Sequence, residues 1–249
     1  MKKLAFYWHF SRVMAHVFKG LFICFVIFPW VNSATKKNRI KHWSTQLLAI
    51  FRVQVKADLT DIASGAMIVS NHVSWLDIFV INSVAPCQFV AKSDIRSWPL
   101  LGWLALQAGT IYISRGSKSD VKRIYQYLID QILAGERVAF FPEGTTAAQG
   151  EVLPFHANLF EAAIHAKVPI HPFALRYLNE AGQLHQAVDF LGEMTVLESM
   201  TLILNSGAVT AELQSLSLIP SDGAHRRDLA AASRIAVAAA LNADIPSPP

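Results

Sequence analysis

From Arg52 onward, short β-branched runs alternate with stretches of helical periodicity, and this alternation constrains the fold of the 249-residue chain more than any other feature. The strand-like runs are 53–55, 66–70, 110–114, 137–141 and 169–176. Between them, 119–133 and 156–166 carry the 3.6-residue period, with Asp120 near a first turn, where the helix dipole favours an acid. Strands separated by helices predict an α/β domain with a mainly parallel sheet flanked by helices. Further strands are expected between 187 and 218, including 208–218, followed by a closing Ala-rich helix from about 224 to 241. A chain of this length buries one full core. The division expected is an N-terminal appendage, 1–57, and one α/β domain, 58–249.

Composition says what the appendage is for. Hydrophobic residues make up 53% and charged residues 16%, too apolar for a freely soluble domain and too charged for a polytopic channel. Lys2, Lys3, Arg12, Lys19, Lys36, Lys37, Arg39, Lys41, Arg52 and Lys56 all precede the first acid, Asp58, after which the chain is net acidic. A basic, acid-free segment suits an anionic cytoplasmic leaflet, where each Lys or Arg contributes roughly 1 kcal/mol. These cations are interleaved with Leu, Ile, Phe and Trp, which argues against a nucleic-acid partner. Arg12 and Lys19 interrupt the segment 4–31, leaving an apolar run of 20–31. At about 1.5 Å per residue that run is short for a hydrocarbon core of roughly 30 Å, so the helix is expected to dip into one leaflet. Pro29 and the polar stretch 32–37 should end it. A second amphipathic helix, 39–51, then places Ile40, Trp43, Leu47, Leu48 and Phe51 on one side. The pair reads as a membrane-docking motif; the alternative is that it packs on the core. The opening MKK also resembles a signal peptide, but with a late apolar region and an indistinct cleavage site. Cys24 and Cys87 are too few for a disulfide framework or a Cys-based zinc site.

Four strings carry potential chemistry. The run AMIVS leads directly into NHVSWLD, so His72 stands at the carboxyl end of a strand, where open α/β sheets place their binding crevice. On one continuous helix His72 and Asp77 would lie about 140° apart, so they meet only across a strand-to-helix turn. An imidazole held at Nδ1 by a carboxylate leaves Nε2 free to take a proton from a hydroxyl. The plainer reading is that Asn71 and His72 cap the next helix. In FFPEGTT, Gly144 lets backbone N–H groups approach an anion, with Thr145 and Thr146 beside them; an ordinary strand-ending turn would look the same. TIYISRG presents Arg115 after a strand, a guanidinium suited to bidentate phosphate binding. VPIHPFALRY reads as architecture, its Pro169 and Pro172 tolerable at a strand start or a bulge. The absence of GxSxG, GxxxxGK[ST] and GxGxxG speaks against a serine hydrolase and nucleotide-binding enzymes. The remaining histidines lack metal-ligand spacing; His171 is set apart by lying in the fourth string.

Taken in order, NHVSWLD, GTIYISRG, FPEGTT and VPIHPFA resemble the four sequence blocks of the glycerolipid acyltransferase family, the lysophosphatidic acid acyltransferase type. FVAKSDIRSWPLLG adds a lysine-bearing stretch, so the resemblance covers roughly 66–177. It implies His72 as general base with Asp77 as partner, and Arg115, Glu143, Gly144 and Thr145 around an acceptor phosphate, with Lys92 lining the site. It further implies acyl-CoA or acyl carrier protein as co-substrate, no cofactor, no metal, a lysolipid acceptor, and a place on the cytoplasmic face of the inner membrane. The expected acceptor is 1-acyl-glycerol-3-phosphate. Thr146 stands where the family commonly has Arg, Ser114 where it has Asp, and His156 and Asn158 replace a lysine- and glycine-bearing sequence. FPEGTT variants resemble enzymes acylating other lysolipids, such as lyso-ornithine lipid. A non-catalytic lipid-binding protein of the inner leaflet is the alternative from another class.

Overall fold

The computed structural model describes residues 3–60, 62–98, 100–113 and 118–243. Seven strands form one sheet: β1 (Val53–Asp58), β2 (Met67–Ser70), β3 (Gln88–Lys92), β4 (Ile111–Ile113), β5 (Val138–Phe140), β6 (Ile170–Leu178) and β7 (Val209–Ser215). Their order is β1-β7-β6-β2-β5-β3-β4, and every pairing is parallel except β6 with β7. The sheet is therefore mixed but mostly parallel, as the alternation predicted. In β2 all four residues are buried, as a central strand covered on both faces requires.

Alternate residues of that strand feed two apolar layers. Ile68 joins one with Phe173, Leu175 and Tyr177 of β6, beneath α1 (Lys3–Phe22), α2 (Ser33–Ile50), α3 (Asp77–Val84) and α7 (Val196–Asn205). Met67 and Val69 join the other, beneath α5 (Lys118–Leu133), α6 (Phe160–Ala166) and α8 (Arg226–Ala243). A short α4 (Leu101–Gln107) fills the β3–β4 connection.

Several expectations change. The stretch 187–218 holds helix α7 ahead of its one strand, opened by a capping box in which Thr195 and Glu198 satisfy each other's backbone N–H groups. That T-x-x-E signature, Thr195 to Glu198, was present in the sequence. β3 lies in the lysine-bearing stretch, to which the sequence reading assigned no strand. Pro172 sits inside β6, opposite a bulge: Phe173 pairs with Ser215 while Ile170 bridges Ile219, so the three residues 216–218 face only His171 and Pro172.

The N-terminal helices differ from expectation at their junction. α1 runs on through a π-helical turn (Ile23–Ile27) and a 3₁₀ turn (Phe28–Trp30) past Pro29. α2 then begins at Ser33, six residues before the expected Arg39, because the Asn32 side chain accepts from Thr35 N and caps it. Both helices pack on the domain: Val13, Val17, Leu47, Leu48 and Phe51 are core residues. The pair is also locked internally. His16 Nε2 donates to Trp43 O at 2.9 Å and Trp43 Nε1 donates to His16 O at 3.1 Å. A Cβ at Gly20 would come within 2.8 Å of the Trp43 indole nitrogen, so glycine permits the close approach. The opposite face of this hairpin exposes Phe18, Phe22, Phe25 and Trp30. Thus one face of these helices packs on the core, as the alternative reading had it, and the other leaves large aromatic side chains exposed. The helical stretch Tyr7–Trp30, with mean hydropathy 1.8, is long and apolar enough to cross a membrane by length and composition.

Candidate active site

The site is built on the turn between β2 and α3. Asn71, the first residue past β2, uses its side chain as a piece of strand: Nδ2 donates to Leu175 O at 2.8 Å and Oδ1 accepts from Leu175 N at 2.9 Å. This ties the turn to β6 and removes Asn71 from any capping role. Four residues of loop then bring Asp77 back beneath His72. Asp77 Oδ2 accepts from His72 Nδ1 at 2.8 Å, from Val73 N at 2.7 Å and from Ser74 N at 3.0 Å. Its Oδ1 accepts from the Tyr177 hydroxyl at 2.6 Å. Asp77 is fully buried, whereas the His72 side chain keeps 18% of its surface exposed. A carboxylate can only accept, so His72 Nδ1 carries the proton and Nε2 remains to receive another.

The FPEGTT loop grips the same turn by its backbone. Glu143 is buried, with Oε1 accepting from His72 N and Oε2 from Leu153 N, each at 2.8 Å. Ala147 N donates to His72 O at 2.8 Å, so both backbone polar groups of His72 are held by this loop. Burial pushes the Glu143 carboxyl above its ordinary range, and the two backbone donors oppose that shift. Phe141 stacks on the imidazole with centroids 3.9 Å apart and planes within 6°. Phe89 lies behind Phe141 at 5.6 Å. The ring of His72 is fixed by a carboxylate at its edge and an aromatic plane at its face.

A profile of the acyltransferase family matches residues 50–176. The chain belongs to that family. Over 214 residues it is 36% identical to a lyso-ornithine lipid O-acyltransferase from Pseudomonas aeruginosa, covering 86% of this chain and 82% of that protein. It is 42% identical over 120 residues to a 1-acyl-sn-glycerol-3-phosphate acyltransferase from Neisseria gonorrhoeae, covering 48% and 47%. Its fold matches the crystal structure of the 1-acyl-sn-glycerophosphate (LPA) acyltransferase PlsC from Thermotoga maritima with a TM-score of 0.72. That match covers 96% and 94% of the two chains at 18% identity.

The acyltransferase site residues expected from the sequence fall into three groups. His72 and Asp77 are brought together. Glu143 is also drawn in, with its two oxygens accepting from the backbone N–H groups of His72 and Leu153. Gly144 (φ +70°), Thr145 and Lys92 lie at the same, carboxyl edge of the sheet, because β2, β5 and β3 run parallel. Lys92 and Thr145 are exposed, and the exposed imidazole of His156 stands 3.2 Å from where a Cβ on Gly144 would be. Arg115 lies outside the described residues. Thr146 donates its hydroxyl to Phe190 O, tying the loop to the segment whose Phe190 N donates to Val73 O. His171 pairs with Ile68 near the amino end of β2, four residues before His72 and so about 13 Å along the strand direction. No three His, Cys, Asp or Glu side chains gather for a metal among the described residues. Tyr177, quoted in the fourth string as architecture, is the partner of Asp77 that the sequence reading missed. The signal was its alternation with Phe173 and Leu175, which turns it to the α3 face of β6.

Proposed function

We propose that this acyltransferase moves a fatty acyl group from acyl-CoA or acyl carrier protein to the free hydroxyl of a lysolipid, with lyso-ornithine lipid as acceptor. The observation that carries the reading is the His72–Asp77 hydrogen bond, in which a buried carboxylate orients an imidazole that keeps one edge open to solvent. His72 Nε2 takes the proton of the acceptor hydroxyl as its oxygen attacks the thioester carbonyl. The tetrahedral intermediate then expels the thiolate, and the imidazolium supplies the proton that yields the free thiol. Lys92, Arg115, Gly144 and Thr145 are proposed to line the acceptor site.

Two observations support the choice of acceptor. The similarity to the Pseudomonas lyso-ornithine lipid enzyme spans most of both chains, and Thr146 turns its hydroxyl to Phe190 O where a phosphate-binding cation would otherwise stand. Lysophosphatidic acid is the second reading, favoured by the higher local identity to the Neisseria enzyme. The protein is proposed to work at the cytoplasmic face of the inner membrane, its exposed helix aromatics in the lipid and its N-terminal cations at the headgroups. The test is purified protein with one labelled acyl thioester and a panel of lysolipids with and without phosphate. Preferential use of lyso-ornithine lipid is expected. A strict requirement for phosphate would move the assignment to lysophosphatidic acid, and no thiol release with any acceptor would reject the reaction.

A further inference from the structure

The catalytic turn is tied to β6 at both ends, and the two ties differ in kind. At its start, Asn71 pairs with the backbone of Leu175, which fixes where the turn leaves the sheet. At its end, the Tyr177 side chain reaches Asp77 Oδ1 at 2.6 Å, from a strand 100 residues away in sequence. Leu175 and Tyr177 are alternate residues of one strand, so the register of β6 sets both contacts together. Tyr177 is itself held: its N donates to Gln149 Oε1 at 2.6 Å and its O accepts from His185 N at 2.9 Å.

We propose that Tyr177 is a positioning residue for acyl transfer, acting on His72 through Asp77; this rests on the acyl-transfer reading above. A carboxylate with three donors on one oxygen and none on the other could swing about its Cβ–Cγ bond. The tyrosine hydroxyl on Oδ1 fixes the carboxylate plane so that Oδ2 meets His72 Nδ1. The same bond draws negative charge toward Oδ1, which weakens the pull of Asp77 on a protonated imidazole. Tyr177 thereby keeps His72 both oriented and ready to accept a proton. Among the described residues, the charged or titratable groups facing this pair include Glu143, which senses both His72 and Asp77, and Asp189, which senses Asp77 from the loop after β6. Burial raises both carboxyls, and it raises the Tyr177 phenol well above its ordinary range. Tyr177 therefore remains a donor wherever the enzyme works.

The experiment is Tyr177→Phe, which keeps the ring and removes only the hydroxyl. kcat/KM is expected to fall roughly tenfold, the scale of one hydrogen bond to a charged group, with KM for the acyl thioester unchanged. Its acid limb should move to higher pH. An equal loss at every pH, or none, would overturn the proposal. In an Asp77→Asn background, Tyr177→Phe should add little, whereas full additivity would again count against it. A substrate-free arm separates this proposal from the reaction assignment: NMR titration of ¹⁵N-histidine-labelled protein, with His72 identified by its loss in His72→Gln. The His72 midpoint should rise in Tyr177→Phe even if no acyl acceptor is ever found, and an unmoved midpoint would refute the coupling.

Discussion

The turn after β2 and the N-terminal helical hairpin handle their side chains in opposite ways. In the turn, polar atoms are paired almost one for one: Asp77 has four donors, Glu143 two, and His72 is held by its ring and by both backbone groups. In the hairpin, one face is equally well locked, through His16 and Trp43, but the other leaves large apolar side chains exposed. The proposed proton transfer asks one geometry of the turn, since misplacing an acceptor by an ångström can cost about 100-fold. The proposed membrane docking asks of the exposed face only apolar area and nearby positive charge, neither of which depends on exact placement. Substitutions should therefore act sharply and locally in the turn, and gradually and additively on the helices.

The largest effect tests the sharp side. His72→Ala should lower turnover by about 10² to 10⁴-fold with the fold retained, because removing the ring leaves the backbone grip of the FPEGTT loop and three of the four donors to Asp77 intact. Activity at the wild-type level would break the contrast outright. Next comes the gradual side: Phe22→Ser with Phe25→Ser should weaken binding to anionic vesicles by roughly tenfold or more, each ring carrying up to about 2 kcal/mol of apolar burial. Centrifugation with liposomes measures it, and the single variants should each account for part of the loss. Intact binding by the double variant would mean that this face does not meet lipid.

Glu143→Gln is a smaller test, confined to positioning. An amide can accept from His72 N or Leu153 N but turns its own NH₂ toward the other donor. Losing one charge-assisted bond of about 1.5–3 kcal/mol should lower the melting temperature by several degrees and the activity by roughly tenfold. The smallest effect is a pH slope. Because burial raises the folded-state pKa of Glu143 above the ordinary 4.5, its stabilising contribution is full below that value and is lost as pH climbs through the raised one. Urea midpoints from pH 4.5 to 7 should consequently decline slightly more for the wild type than for Glu143→Gln.

The sequence alone determined the elements whose signals are local. Alternating β-branched and helical runs announced a mostly parallel sheet, and the break after AMIVS placed His72 at a strand's carboxyl end. The ordered strings NHVSWLD, FPEGTT and VPIHPFA pointed to the family. Local pattern misled within 187–218, where further strands were expected and 196–205 is a capped helix, and at Asn32, whose cap was hidden in a polar stretch read as a break. Only the tertiary structure could decide what Glu143, Asn71 and Tyr177 do, since each acts through partners 10 to 104 residues away. A hydrogen bond between distant residues leaves no periodicity in the chain. It exists only once the register of β6 beside β2 brings its two ends within reach.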